Sequence, residues 1–212
     1  MANAGVNFSF AKNIRVNAGY SRDMERFGGI NFDKEYYSLG GNVSTIRELS
    51  IGGFFSYGDQ VRYDLANPAN SFLGTGGRGG VFMSLRPFSR LQSQINISTS
   101  NLIDPFSDTE IFDVKIYRAL TTFQFTDRLL LRNILEYNTF QRTMGANVLF
   151  TYRINSGTVF FIGYDDRYQQ GDLIFDRANS QYAYLGNPVF YTTDLMRTNR
   201  AFFTKISYLF RY

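Results

Sequence analysis

Between Arg197 and Tyr212 the chain reads RTNRAFFTKISYLFRY, and this stretch constrains the fold more than any other. Thr204, Ile206, Tyr208, Phe210 and Tyr212 fall on one side of a two-residue period. Lys205, Ser207 and Arg211 fall on the other, interrupted by Leu209. That period is the signature of a β-strand with one apolar and one polar face. Bacterial outer-membrane barrels usually finish on a strand of this kind, aromatic to the last residue.

The rest of the chain agrees with a β structure. Its 212 residues include 22 Phe and 15 Tyr, 19 Gly and only 4 Pro, a composition that favours strands. No stretch approaches the roughly 20 apolar residues of a transmembrane helix. The mean hydropathy of -0.22 suits a barrel, in which only alternate residues face lipid.

Cysteine and histidine are both absent. This removes disulfides, thiolate nucleophiles, His-based triads and nearly all zinc chemistry. Tryptophan is absent as well, leaving Tyr to supply an interfacial belt. The net charge of +4 is modest and no run of five like charges occurs, so no nucleic-acid partner is expected. ANAGVNFSFAKN after Met1 has neither the basic nor the apolar region of a signal peptide. The expectation is that a leader was removed and Met1 introduced, or that this is the C-terminal part of a longer product.

Eleven strands are predicted. The first four are Gly5 to Phe10, Arg15 to about Asp23, Lys34 to Ser44, and Leu49 to Tyr63. Then come Gly79 to Arg86, Leu91 to Ser100, Glu110 to Phe125 and Leu129 to Phe140. The last three are Gly145 to Ile154, Thr158 to Gln169 and Arg200 to Tyr212. Connections after the odd-numbered strands are short. Those after the second, fourth, sixth and tenth are longer and that after the eighth is expected to be short, with short periplasmic turns and long external loops as the implied arrangement. The fold class is therefore all-β, an antiparallel transmembrane β-barrel of eleven or twelve strands, or the C-terminal part of a larger barrel. Residues 1–212 form one such domain. Bacterial single-chain barrels have even strand counts, so an upstream strand or module is expected to be missing.

Face assignment nominates the interior. Leu129, Leu131, Leu135 and Tyr137 alternate with Arg132 and Glu136. Val148, Phe150 and Tyr152 alternate with Asn147, Thr151 and Arg153, and Phe160, Ile162 and Tyr164 with Phe161, Gly163 and Asp165. Arg132, Glu136, Arg153, Asp165 and Lys205 are the lumen-lining candidates, with a charge network among Arg132, Glu136 and Arg153 as the structural expectation. Phe175, Tyr182, Tyr184 and Tyr191 are candidates for binding in a surface loop. Their aromatic rings suit stacking on a sugar or a protein, and equally a loop folded into the barrel mouth.

Catalytic readings fare poorly. Asp165 and Asp166 are adjacent in a strand and point to opposite faces, so they cannot flank one substrate. Asn101 to Asp108 and Asp172 to Asn179 offer oxygen ligands without calcium-loop spacing. The glycine run Gly74 to Gly80 lacks the Lys-Ser/Thr and the helix of a phosphate loop; it reads as a flexible loop or a strand entry of close backbone approach. No catalytic residue, metal or cofactor is expected, and the chain is not expected to be an enzyme.

One resemblance sharpens this. The turn QFTDR (Gln124 to Arg128), the triplet EYN (Glu136 to Asn138), SGTVFFIGY (Ser156 to Tyr164) and KISYLF (Lys205 to Phe210) resemble the C-terminal barrel of the DUF5916 family of Bacteroidota and related bacteria. Members of that family carry an N-terminal β-sandwich similar to family-nine carbohydrate-binding modules, which this sequence does not contain. The family usually has Pro before Gly at the turn where Ser156 stands here. The resemblance covers about half of the chain and supplies no catalytic residue. It implies a bacterial outer-membrane barrel serving as anchor or pore for a surface substrate-capture system, with carbohydrate as one candidate substrate. Membrane lipid is then a partner, together with an outer-membrane protein or the missing N-terminal module. The alternatives are a small passive channel, a subunit of a larger outer-membrane assembly, and a soluble β-rich binding protein.

Overall fold

A computed structural model describes residues 2–170 and 194–209. These described residues form eleven strands: β1 (Ala2–Phe10), β2 (Ile14–Phe27), β3 (Ile30–Ile46), β4 (Leu49–Arg62), β5 (Phe72–Phe88), β6 (Leu91–Ile103), β7 (Glu110–Thr126), β8 (Leu129–Asn138), β9 (Thr143–Asn155), β10 (Thr158–Gln170) and β11 (Leu195–Tyr208). The only helical element among the described residues is a single 3-10 turn at Pro68–Asn70. No helix there is long and apolar enough to cross a membrane. The strands form one antiparallel sheet in the order of the sequence, from β1 to β11. Two compact units divide it, Met1–Phe88 with Gln94–Ile116, and Ser89–Ser93 with Tyr117–Tyr212.

The predicted strands are all present, most of them longer than predicted. β2 runs on to Phe27, so the connection to β3 is the pair Gly28-Gly29 and not a long loop. Both glycines have positive φ, 58° and 86°, which a two-residue hairpin requires. The connections after β4 (63–71), β6 (104–109) and β8 (139–142) are longer than those after β3, β5, β7 and β9. The glycine run is no loop: Gly74 to Gly80 lies inside β5. A Cβ on Gly76 would collide with the Asn101 carbonyl, and one on Gly74 would lie 2.8 Å from that of Ile103, so the glycines permit close strand approach.

In the first unit, cross-strand register sorts the side chains into two faces. On one face Phe8 opposes Val16, Val16 opposes Gly41, Gly41 opposes Gly53 and Gly53 opposes Val81. Ile14, Val43, Ile51 and Met83 form the next row on this face. At its other end Tyr20, Tyr37 and Tyr57 stand opposite one another on three successive strands. The Tyr20 and Tyr37 rings are 5.2 Å apart. The opposite face carries Asn7, Ser9, Asn17, Ser21, Asp23, Lys34, Ser38, Asn42, Ser56 and Arg78.

The second unit repeats the division. Leu129, Tyr152, Phe160 and Ile206 form one row, and Leu131, Phe150, Ile162 and Thr204 the next. This face ends on Tyr137, Met144 and Tyr168. Tyr137 also stacks on Tyr117 of β7, with ring centroids 6.4 Å apart. Phe210 and Tyr212, predicted to extend the apolar face, lie outside the described residues.

These apolar faces are uncovered. Val81 is 48% exposed, Leu39 57% and Phe202 74%. Among the described residues Phe32 and Leu102 are the only buried hydrophobic side chains. Backbone ladders and neighbouring side chains therefore hold the sheet, and no conventional core does. Gly52 faces Phe82, Phe54 faces Gly80, Phe55 faces Gly79 and Gly163 faces Phe203. In each pair the ring lies over the glycine, close to where a Cβ would stand.

Candidate functional site on the polar face

The polar face of the first unit holds a cavity of about 380 Å³. Its floor follows from the register: Tyr36 opposes Gly58, and Gly58 opposes Gly76. Two successive glycines on one row leave a gap two strands wide. Tyr36 bounds one side, Ser56 and Arg78 bound one end, and Asp23, Lys34 and Gln60 the other. Lys34 Nζ lies 2.7 Å from Glu25 Oε2 and 3.6 Å from Asp23 Oδ2, and the Tyr63 hydroxyl donates to Glu25. Asp59 Oδ2 accepts from the Glu35 amide at 2.9 Å. Asp23 Oδ1 is buried without a hydrogen-bond partner.

The polar face of the second unit carries all five predicted charged residues. Register places Glu136 opposite Gly145, Asp165 opposite Asn147, Arg132 opposite Leu149, Lys205 opposite Phe161 and Arg153 opposite Val159. They are strung out along the strands, and of the five Glu136 and Asp165 alone come together. Glu136 and Asp165 line a cavity of about 510 Å³ with Asn147, Thr143 and Arg167. Arg132 lies further along, and Arg153 and Lys205 lie towards the short turns. The expected network is replaced by local pairs: Arg118 Nε is 3.7 Å from Glu136 Oε2, and Arg167 Nε is 3.1 Å from Asp165 Oδ2. Arg132 and Arg153 enter no ion pair among the described residues. Alternation gives the face of each residue, but a strand rises about 3.3 Å per residue, so charges four or more residues apart stay out of reach. The loop candidates Phe175, Tyr182, Tyr184 and Tyr191 lie outside the described residues.

The first cavity was not anticipated. Asp23, Lys34 and Tyr36 alternate visibly in the sequence, but only register shows that they meet Gly58, Gly76 and Arg78. Asp166, no partner to Asp165 in catalysis, has a different place. Continuing the series Phe160, Ile162, Tyr164 by one step places it on the apolar face, where a carboxylate demands an explanation. Asp104, in the predicted oxygen-rich loop, accepts from the Phe106 amide at 2.8 Å and from Ser107 Oγ at 3.0 Å, so it organises its own turn. No group of three or more acidic side chains capable of holding a metal occurs among the described residues.

No protein-family model matches the chain, and no curated protein sequence matches it.

Proposed function

We propose that the chain is a bacterial outer-membrane β-barrel that acts as anchor or pore for a surface substrate-capture system. The observation that carries this reading is the pair of faces. An uncovered apolar face ends on rows of tyrosine, and a polar face backs it. In water such a face would forgo about 25 cal/mol per Å² of apolar surface left exposed. In a bilayer the acyl chains cover it. Tyr57 and Leu49 stand on that face eight residues apart along β4. This spans about 27 Å at 3.4 Å per residue, or about 20 Å in strands tilted by about 40°, close to the apolar band of such barrels. Tyrosine rows suit the boundary between headgroup and acyl chain. Sheet closure is part of the proposal, because unpaired strand edges are too costly in lipid. An odd number of strands closes an antiparallel series only through one parallel seam or an added strand. The likeness to the DUF5916 barrel supports a role beside a capture module.

The absence of tryptophan makes the test clean. Leu39→Trp places an indole on the apolar face and Ser38→Trp places one on the polar face. In vesicles containing brominated acyl chains, the Leu39→Trp emission should be blue-shifted and strongly quenched, and the Ser38→Trp emission should not. Equal quenching of the two refutes the assignment of faces; failure of both to insert refutes the membrane reading.

The small residues Gly19, Gly40, Ser38, Ser56, Gly58 and Gly76 on the polar face favour a second reading, a small passive channel, because they leave room for water. Steady conductance across planar bilayers would put that reading first, and a silent bilayer would leave the anchor.

A further inference from the structure

We propose that Arg197 and Arg200, held by Asp166 at the rim of the apolar face, form a site for the phosphate group of an anionic membrane lipid. The proposal rests on the membrane reading above. Asp166 is only 3% exposed. Its Oδ2 accepts from the Tyr164 hydroxyl at 2.5 Å, the Tyr168 hydroxyl at 2.7 Å and Arg200 Nη2 at 3.3 Å. Arg197 Nε stands 3.5 Å from Oδ1. The guanidinium of Arg200 lies 5.7 Å from the centre of the Tyr164 ring, and that of Arg197 lies 6.0 Å from the centre of the Tyr168 ring.

Arg197 and Arg200 are three residues apart, so in a regular strand they would face opposite ways. A register shift between Arg167 and Tyr168 changes this. Asp166 opposes Arg200, and Tyr168 opposes Arg197, with Thr198 passed over. The bulge turns both arginines onto one carboxylate. A latch between β10 and β11 would need only one of them. Among the described residues the second leaves an excess positive charge on this face. Arg167 and Asp165 pair with each other on the opposite face and do not offset it.

The surroundings select the ligand. One row inward lie Phe202 and Tyr164, and two rows inward Ile162 and Thr204. Arg197 and Arg200 side chains remain 47% and 44% exposed. Cations fixed beside tyrosine at the edge of an apolar face match a lipid whose phosphate sits above its acyl chains. In the first unit, the row beyond Tyr20, Tyr37 and Tyr57 holds Arg22, Glu35 and Asp59, with Arg22 paired to Glu35 at 3.3 Å. Among the described residues that rim has no excess of positive charge and offers no such site.

The test uses the full chain in a zwitterionic detergent, titrated with phosphatidylglycerol or phosphatidylcholine, with bound lipid counted by native mass spectrometry. The unaltered protein should retain phosphatidylglycerol about five- to tenfold more readily than phosphatidylcholine. Arg197→Gln removes the excess charge and leaves the Asp166–Arg200 pair, so it should abolish the preference without unfolding the sheet. Arg22→Gln should leave the preference intact. A missing preference, or one that survives Arg197→Gln, overturns the proposal. Displacement of the lipid by equimolar inorganic phosphate also overturns it, because the site would then take phosphate alone. Insertion of the tryptophan variants is read separately, so failure of this site is distinguishable from failure of the membrane reading.

Discussion

The sharpest perturbation of the two-faced sheet is an arginine at Val81. Its row runs Val16, Gly41, Gly53, Val81, two rows from Tyr57 and two from Leu49, at the middle of the apolar band. Val81 is about half exposed, so an arginine there meets no steric obstacle. In water a substitution at such a position changes stability by no more than about 0.5 kcal/mol. At the midplane of a bilayer the same change costs about 2–4 kcal/mol. The two environments therefore differ by about 1.5–4 kcal/mol, a factor of about 10 to 700 in the folding equilibrium, since 1.4 kcal/mol is tenfold. Ser84→Arg is the matched control. It lies three residues along the same strand, on the polar face opposite Ser50, and should cost less than about 1 kcal/mol. Reversible urea unfolding in phospholipid vesicles, followed by far-ultraviolet circular dichroism, gives both values. A loss near 3 kcal/mol at Val81 with little change at Ser84 is the expected outcome. Equal, small losses at the two positions would refute the reasoning.

Glycines facing phenylalanine give a second contrast. Gly163→Val would thrust its side chain into the Phe203 ring and should cost about 1–3 kcal/mol in the same unfolding assay. Gly145→Ala meets nothing within 4 Å and should be neutral or slightly stabilising. The connections respond to pH. The Asn67 amide, then that of Ala66, holds the Asp64 carboxyl below its ordinary value of 3.8, and the Phe106 amide does the same for Asp104. A depressed carboxylate stabilises its turn fully above the unfolded value and loses that contribution as pH falls through the folded one. Carbon-13 shifts of the two carboxyls should therefore titrate below 3.8, and Asp64→Asn should erase the acid-dependent change around Ala66 and Asn67. Titration at or above 3.8 would contradict the turn geometry.

What the sequence revealed followed from the two-residue period. Lys205, Ser207 and Ile206 show their faces without a structure, because alternation is a property of one strand. Strand number also followed, because turns such as Asn155-Ser156-Gly157 break the alternation cleanly. Strand length did not. Gly74 to Gly80 looks like a breaker when read alone, and becomes a strand only because Phe55 and the β6 backbone need the space its absent side chains leave. The end of β2 was hidden for a related reason. Glu25 and Arg26 look like loop charges beyond Asp23 until Lys34 is seen pairing with Glu25 across the hairpin.

The sites were less legible, because a site depends on register and register joins residues distant in sequence. Arg132, Glu136 and Arg153 share a face as expected, but pairing is decided across strands, where Arg118 reaches Glu136. Asp166 shows how far the argument from alternation extends. The series Phe160, Ile162, Tyr164 already assigns it to the apolar face, so an unpaired carboxylate there would be too costly to keep. From this alone a cationic partner on an adjacent strand could have been required. Its identity as Arg200 needs the register, and the arrival of Arg197 needs the bulge, which no count of residues discloses. The charge excess at that rim thus arises from a local irregularity in an otherwise regular sheet. This is why the site is best probed by removing Arg197, the residue that only the irregularity brings there.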